Sequence, residues 1–296
     1  MIRLFTLSSF VALFTASLLH AQDMPLSDVL IDGEGWQLVS EGHKFTEGPA
    51  VDAAGNFYFV DVPSDTIFKH DVESGKTSTF VQGAGKCSGL MFGPDGRLYA
   101  SQNANRKVIA IDAKGTIEVI AEELGANDLV VDSKGGIYST DPKEHQVWYV
   151  APGGEKRVVA KDIETPNGII LWGDQSTLVV ADTRGKHLWA FRVEADGSLT
   201  QRSPIYTCRL PLGETASGAD GMTVDSQGRL YVATALGVQM FDSQCRISGV
   251  ILKPQQAFLS NVVFAGKDLD VMFVTTADKV YRRKTKATGL RYTSKK

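Results

Sequence analysis

Cysteine is scarce in this sequence, and the few cysteines follow no metal or redox spacing. The chain of 296 residues has only Cys87, Cys208 and Cys245, with no CxxC pair. This excludes a cysteine-rich metal site and a scaffold held by several disulfides, although one disulfide stays open. The chain must therefore obtain its stability from a large apolar core.

An excess of charge of one sign is also lacking. Lys and Arg number 31 and Asp and Glu number 34, which gives a formal net charge of −3. The signs are interspersed, so the sequence has no basic face for nucleic acid. The lysine-rich C-terminus is short, and we interpret residues 286–296 as a polar tail. We expect no nucleic-acid partner.

Only one long apolar run is present, and it lies at the N-terminus. Arg3 precedes an apolar stretch from Leu4 to Leu19, and the small Ala21 follows at a plausible cleavage site. This pattern predicts a secretory signal over residues 1–21 and export to the periplasm or the extracellular space. An uncleaved anchor is the alternative, but the run is shorter than the roughly 20 apolar residues of a stable span. After cleavage we expect no stable membrane insertion.

Helical periodicity is nearly absent, and a repeat of strand pairs takes its place. Six segments combine an apolar run, a turn with Asp and Gly, and a second run; they begin at Glu47, Ser88, Asn127, Asn167, Asp220 and Ser260. Successive starts are 41, 39, 40, 53 and 40 residues apart. A period near 40 with several strands per repeat is typical of propeller blades.

The repeat predicts an all-β fold over residues 41–285. We expect a six-bladed β-propeller with four-stranded antiparallel blades around a central channel. Residues 22–40 precede the first repeat, and their stretch GWQLVSEG is expected to supply a strand that pairs with the last blade and closes the ring.

The residues that begin the six repeats all carry a side-chain oxygen. By the pseudo-symmetry of a propeller they stand at one end of the channel and are expected to point toward its axis. Such oxygens suit a hard cation such as calcium, which accepts about six to eight oxygen ligands. Glu47 and Asp220 would supply two negative charges, and Asn127 and Asn167 neutral oxygens. The alternative is that each residue caps a strand or forms a turn.

Further polar residues end the returning strands at the same face. We expect them to surround the ion as supports for its ligands, or else to make strand-end hydrogen bonds; they are Asp61, Gln102, Asn103, Asp141 and Asp182. Arg106 and Arg184 follow on the loops. Together with Asn103 and Asn127, these arginines are the candidate substrate-binding residues.

These motifs together resemble the SMP-30, gluconolactonase and luciferin-regenerating-enzyme group of calcium-dependent six-bladed propellers. The similarity extends from about Phe45 to Arg283 and is carried by FTEGPAVD, ANDLVVD, YSTDP, TPNGIIL, VVADT and ADGMTVDSQGRLYV. The resemblance implies that the family's metal-binding glutamate, asparagine and aspartate correspond to Glu47, Asn167 and Asp220. Asn127 then corresponds to an asparagine beside the metal that contacts ligand or metal.

The same resemblance implies hydrolysis of a lactone, foremost a sugar lactone, or of a related ester. Calcium would bind the carbonyl oxygen, with zinc, magnesium or manganese as alternative ions. Asp220 is the candidate base, although a carboxylate on a cation is a weaker base. Gln102 and Asn103 stand where many similar gluconolactonases have an acidic residue and a histidine, which argues against gluconolactone itself. A phosphotriesterase or phosphofluoridate hydrolase and a non-catalytic ligand-binding propeller stay open.

Overall fold

The computed structural model describes residues 24–291, so the predicted signal over residues 1–21 lies outside the described residues. Within residues 24–291 the secondary structure consists of 24 strands and one short 3-10 helix (Leu26–Asp28). The strands form six sheets, each of four strands. The predicted all-β, six-bladed β-propeller is confirmed.

The first strand of the chain, β1 (Gln37–Glu41), belongs to the last blade, and the other blades follow the chain from the channel outward. Blade 1 contains β2 (Thr46–Val51), β3 (Phe57–Asp61), β4 (Thr66–Asp71) and β5 (Lys76–Gln82). Blade 2 contains β6 (Leu90–Phe92), β7 (Leu98–Gln102), β8 (Lys107–Ile111) and β9 (Ile117–Glu122). Blade 3 contains β10 (Leu129–Val131), β11 (Ile137–Asp141), β12 (Gln146–Val150) and β13 (Lys156–Lys161).

The second half of the propeller repeats this order. Blade 4 contains β14 (Pro166–Leu171), β15 (Thr177–Asp182), β16 (His187–Val193) and β17 (Leu199–Thr207). Blade 5 contains β18 (Met222–Val224), β19 (Leu230–Thr234), β20 (Gly237–Phe241) and β21 (Ile247–Leu252). Blade 6 contains β22 (Leu259–Ala265), β23 (Val271–Thr276), β24 (Lys279–Lys284) and, as its outermost strand, β1.

The two ends of the propeller are joined in blade 6. Strand β1 runs antiparallel to β24, with Gln37 opposite Arg282 and Glu41 opposite Lys279. Hydrogen bonds between the first and the last strand of the domain therefore close the ring of blades.

The apolar core lies between the blades. Six clusters of buried residues each combine side chains from two neighbouring blades. Between blades 6 and 1, for example, Phe57 stacks on Phe273 with ring centroids 4.6 Å apart. Since no blade buries its faces alone, the described chain is one structural unit. None of the three cysteines is paired in a disulfide.

Residues 286–291, which the sequence analysis assigned to the polar tail, pack across one end of the central channel. The backbone N–H of Gly289 donates to the carbonyl of Leu269 over 2.8 Å, and that of Leu290 to Val224 over 3.2 Å. Leu290 also lines a central cavity of about 120 Å³. The apolar Ala287 and Leu290 explain why this segment packs against the propeller, while Lys286, Thr288 and Arg291 stay exposed. Within residues 24–291 no helix has the length and apolar character that a membrane span requires.

We expect Gly168→Ala to lower the free energy of unfolding by about 1–3 kcal/mol, because it overpacks the channel wall. A β-carbon at Gly168 would lie 2.1 Å from the backbone oxygen of Asp220 in the next blade. Gly153→Ala is the matched control, since nothing lies within 4 Å of a β-carbon at that position. It should change stability by less than about 0.5 kcal/mol. Urea denaturation measures both, and equal stability of the two variants would contradict the close approach.

Candidate functional site

The six residues that begin the repeats, called the ring from here on, lie at the start of the inner strands. Three are the second residues of their strands, namely Glu47 in β2, Asn167 in β14 and Ser260 in β22. The other three precede their strands by two residues, namely Ser88 before β6, Asn127 before β10 and Asp220 before β18. Strand pairing is irregular at the first three, and such bulges re-aim side chains. The last three are anchored by backbone N–H bonds of 2.9 Å to the neighbouring strand.

A chain of hydrogen-bonded amides joins three blades at this end of the channel. Asn103 donates from Nδ2 to Oδ1 of Asn127 over 3.1 Å, and Asn127 donates from Nδ2 to Oδ1 of Asn167 over 2.6 Å. Asn167 in turn donates to Oγ1 of Thr183 over 3.1 Å and to the carboxylate of Asp220. These bonds fix the orientation of each amide. Each accepting carbonyl oxygen keeps a second lone pair.

Three carboxylates lie near one another beside these amides. Burial, followed by the charges of Glu47 and Asp128, raises the pKa of Asp220 well above its ordinary value. Burial is also the main cause that raises the pKa of Glu47 to about 8 and the pKa of Asp128 to about 7. In the part of the chain that the structure describes, no Lys, Arg or His side chain contributes to these shifts. The site thus collects negative charge without a cationic side chain to balance it.

The two serines of the ring have a different role from the one expected. Ser88 Oγ donates to the backbone carbonyl of Asn127 over 2.5 Å, and Ser260 Oγ donates to that of Thr46 over 2.9 Å. Each hydroxyl therefore ties its blade to the next one. The expectation that all six side chains point toward the axis is wrong for these two, because a backbone carbonyl of the neighbouring blade lies within reach.

Three of the polar residues that end the second strands hold the loops before the ring. Asp61 accepts from the backbone N–H of Phe45 over 3.0 Å, and Asp182 from that of Thr165 over 3.0 Å. Gln102 donates to a backbone carbonyl in the corresponding loop of blade 2 over 2.7 Å. Asp141 instead bonds within its own hairpin. These contacts are strand-end hydrogen bonds, and through the loops they set the path of the chain into the ring.

The predicted substrate-binding residues are divided between the ring and its surroundings. Asn103 is exposed and bonds directly to Asn127. Arg106 lies with Nη2 3.6 Å from Oδ2 of Asp141, and Arg184 is exposed on the next but one blade. The structure therefore places Asn103 in the amide chain and leaves both arginines outside the ring.

Two residues of the site were not identified from the sequence. Asp128 contributes the third carboxylate, and Asn261 donates from Nδ2 to Oε2 of Glu47 over 3.3 Å. Both directly follow a ring residue, at a position that is glycine in the other four blades. That difference between the repeats is the signal that could have revealed them.

The side-chain oxygens of the ring fit a hard cation, provided that the amide oxygens also act as ligands. The available ligands are carboxylate and amide oxygens, which calcium prefers. Among residues 24–291 no three His, Cys, Asp or Glu side chains converge as metal ligands. A cation at the ring would therefore need the amide oxygens of Asn127 and Asn167 in addition to the carboxylates of Glu47 and Asp220.

Comparison with known proteins identifies the family to which the chain belongs. The model of the SMP-30/Gluconolactonase/LRE-like region matches residues 45–278, which include every ring residue. The chain belongs to this family. A gluconolactonase from Zymomonas mobilis is 24% identical, with 90% of this chain and 85% of that protein aligned. Lactonase drp35 from Staphylococcus haemolyticus is 29% identical over 69% of this chain and 67% of its own.

A solved structure has a similar fold. Regucalcin from Agrobacterium tumefaciens, described as a calcium-binding protein, superposes with a TM-score of 0.74 and 18% identity. The superposition covers 88% of this chain and 97% of that one. At this level of identity the likeness supports the fold alone.

We expect the metal-free protein to lose stability as pH rises from about 5 to 8. Carboxylates whose pKa is raised by folding, here Glu47, Asp128 and Asp220, favour the folded state while protonated, and this contribution disappears as they ionise. A divalent cation such as calcium, if bound by these oxygens, should restore stability most at the upper end, because it would compete with protons for them. The melting temperature measured with chelator and with calcium across this range tests the expectation.

The matched variant for this experiment is Asp128→Asn, which removes one of the three charges. Its melting temperature in chelator should fall less steeply with pH than that of the unmodified protein. A melting temperature in chelator that stays flat over the whole range would show that these carboxylates do not titrate together.

Proposed function

We propose that this protein is an exported, calcium-dependent lactone hydrolase of the SMP-30/gluconolactonase family. The observation that carries the proposal is the ring itself, where Asn127 donates to Asn167 and the charge of Glu47 acts on the buried Asp220. Membership of the family and the lactonases among its relatives support the reaction class. The apolar residues 4–19 behind Arg3 support export.

Four residues would hold the ion. Glu47 and Asp220 provide charge, and the carbonyl oxygens of Asn127 and Asn167 provide neutral ligands whose direction the amide chain already fixes. A calcium ion bound there supplies Lewis-acid chemistry that favours negative charge on an ester carbonyl oxygen. Because the ligands are oriented beforehand, little free energy is needed to arrange them.

Asp220 is proposed to take the proton from the attacking water. Bound cations lower the pKa of a carboxylate, which weakens it as a base. The negative charges of Glu47 and Asp128 act in the opposite direction and raise the pKa of Asp220. The hydrogen bond from Asn167 holds one side of the carboxylate. The neighbouring charges thus keep Asp220 basic enough for proton transfer while it also holds the ion.

Asn103 is proposed to orient the substrate at the edge of the ring. Its Nδ2 uses one hydrogen on Asn127, and its exposed position leaves the other directed to solvent or ligand. Asn103 would therefore donate to an oxygen of a lactone whose carbonyl lies at the ring.

Lactonase activity should depend on calcium and on Asp220. We expect chelation to abolish hydrolysis and added calcium to restore it, and Asp220→Asn to lower kcat by roughly 100-fold or more. Asn167→Ala should weaken calcium binding, measured by titration calorimetry. Asp268→Asn removes the same charge from an exposed position and should leave activity and calcium affinity unchanged.

The outcome that contradicts this mechanism is lactone hydrolysis that survives both chelation and Asp220→Asn. A panel that includes phosphotriesters separates the alternatives. Turnover of phosphoesters alone would favour the phosphotriesterase reading. Binding without turnover of any substrate would favour a ligand-binding propeller.

A further inference from the structure

The residue two positions before each ring residue lies in the segment that leads into the inner strand, and these six positions are called the rim. In chain order the rim is Phe45, Lys86, Gly125, Thr165, Gly218 and Phe258. Its two aromatic residues occur in blades 1 and 6, which are adjacent because blade 6 closes the ring. The scaffold does not require an aromatic residue here, since the other four blades do without one.

The two phenyl groups of the rim form a pair. Their centroids lie 5.9 Å apart with an interplanar angle of 29°, which is a stacked arrangement. Phe258 is 45% exposed, so a large apolar surface faces solvent at this point. Stacking of two aromatic rings contributes free energy in addition to that of the area it buries. The exposed parts of the rings are still unfavourable to hydrate. A ligand group that covers them would gain that free energy.

The backbone holds this pair in place. The N–H of Phe45 donates to Asp61 over 3.0 Å, and its carbonyl accepts from Val62 over 3.0 Å. Phe258 directly precedes β22, whose first residue, Leu259, is buried. The backbone is therefore held in place at both phenylalanines, as a binding surface requires.

The pair stands on the Glu47 side of the ring. Phe45 is two residues from Glu47, which corresponds to roughly 7 Å of extended chain. Phe258 is two residues from Ser260, which bonds to Thr46, and the adjacent Asn261 bonds to Glu47. The aromatic pair therefore belongs to the two segments that lead to Glu47 and to its partner Asn261.

The other side of the channel opening is polar. Asn103 belongs to blade 2 and bonds to the ring, and Arg106 and Arg184 lie on the loops of blades 2 and 4. The opening therefore has an apolar side at blades 6 and 1 and a polar side at blades 2 to 4. A polyhydroxylated sugar ring would find no hydrogen-bond partner on the phenyl groups and would lose hydration there.

We propose that Phe45 and Phe258 form an apolar subsite that binds an alkyl or aryl substituent of the lactone. The preferred substrates are then lactones with an apolar substituent, and polyhydroxylated sugar lactones are poorer ones. This inference rests on the proposed lactone hydrolysis and names the substrate class of that same site.

The experiment compares the hydrolysis of three δ-lactones by the calcium-loaded full chain. δ-Valerolactone has no substituent, δ-decalactone has a pentyl substituent, and D-glucono-1,5-lactone is polyhydroxylated. We express kcat/KM for each lactone relative to that for δ-valerolactone. We expect this ratio to be well above one for δ-decalactone and below one for the gluconolactone. Phe258→Ala should lower the first ratio roughly tenfold, mainly through KM, because the pentyl group loses its cover.

Two further variants make the result specific. Phe258→Leu keeps an apolar surface and should retain much of the selectivity. Val119→Ala shortens a residue of similar exposure, 46%, on the outermost strand of blade 2. This variant should leave kcat/KM for all three substrates unchanged. Melting temperatures of the variants show that each one is folded.

The outcomes separate this inference from the proposed function. If δ-valerolactone is hydrolysed but the ratios stay near one, or if Phe258→Ala leaves them unchanged, the apolar subsite is refuted and lactone hydrolysis stands. If the unmodified protein with calcium hydrolyses none of the three lactones, the proposed function fails and the subsite assignment fails with it.

Discussion

The inner strands of the six blades begin in close contact around the channel, and this close approach determines what the site can contain. In blade 4 a β-carbon on Gly168 would lie 2.1 Å from the backbone oxygen of Asp220 in blade 5, so only glycine allows these neighbouring strands their spacing. The same position is glycine in four blades. Because the strands approach so closely, side chains of different blades reach one another, as Asn127 and Asn167 do at 2.6 Å.

This spacing explains why the polar network is fixed before any ligand binds. A hydrogen-bond chain that starts at Asn103 ends on the carboxylate of Asp220, so the orientation of each amide depends on the next blade. The carboxylates are less well satisfied, since their partners are backbone N–H groups and amides and their charges repel one another. Such a group of oxygens is an unfavourable arrangement by itself and a favourable one around a divalent cation. The proposed metal dependence follows from this imbalance.

The repeats made the blade number and the ring positions predictable from the sequence. Each blade restates the same pattern of apolar runs and turns, so six starting residues could be counted and Glu47, Asn127, Asn167 and Asp220 selected. The direction of a side chain was less accessible, because it depends on bulges and on carbonyl groups that a neighbouring blade presents. Ser88 and Ser260 illustrate this, since both bond across a blade interface. The packing of Leu290 under the channel likewise depends on a cavity that only the closed ring creates.

Differences between the blades carry more functional information than their similarities. Requirements of the scaffold, such as an Asp–Gly turn or a glycine between inner strands, recur because every blade must pack against its neighbours in the same way. A side chain that only one or two blades possess at a given position is not needed for the packing of the blades. Asp128 and Asn261 replace glycine beside the ring, and Phe45 and Phe258 replace small or polar residues on the rim. All four lie at the same end of the channel, where pseudo-symmetry has to be broken for a ring of equivalent blades to bind one asymmetric molecule.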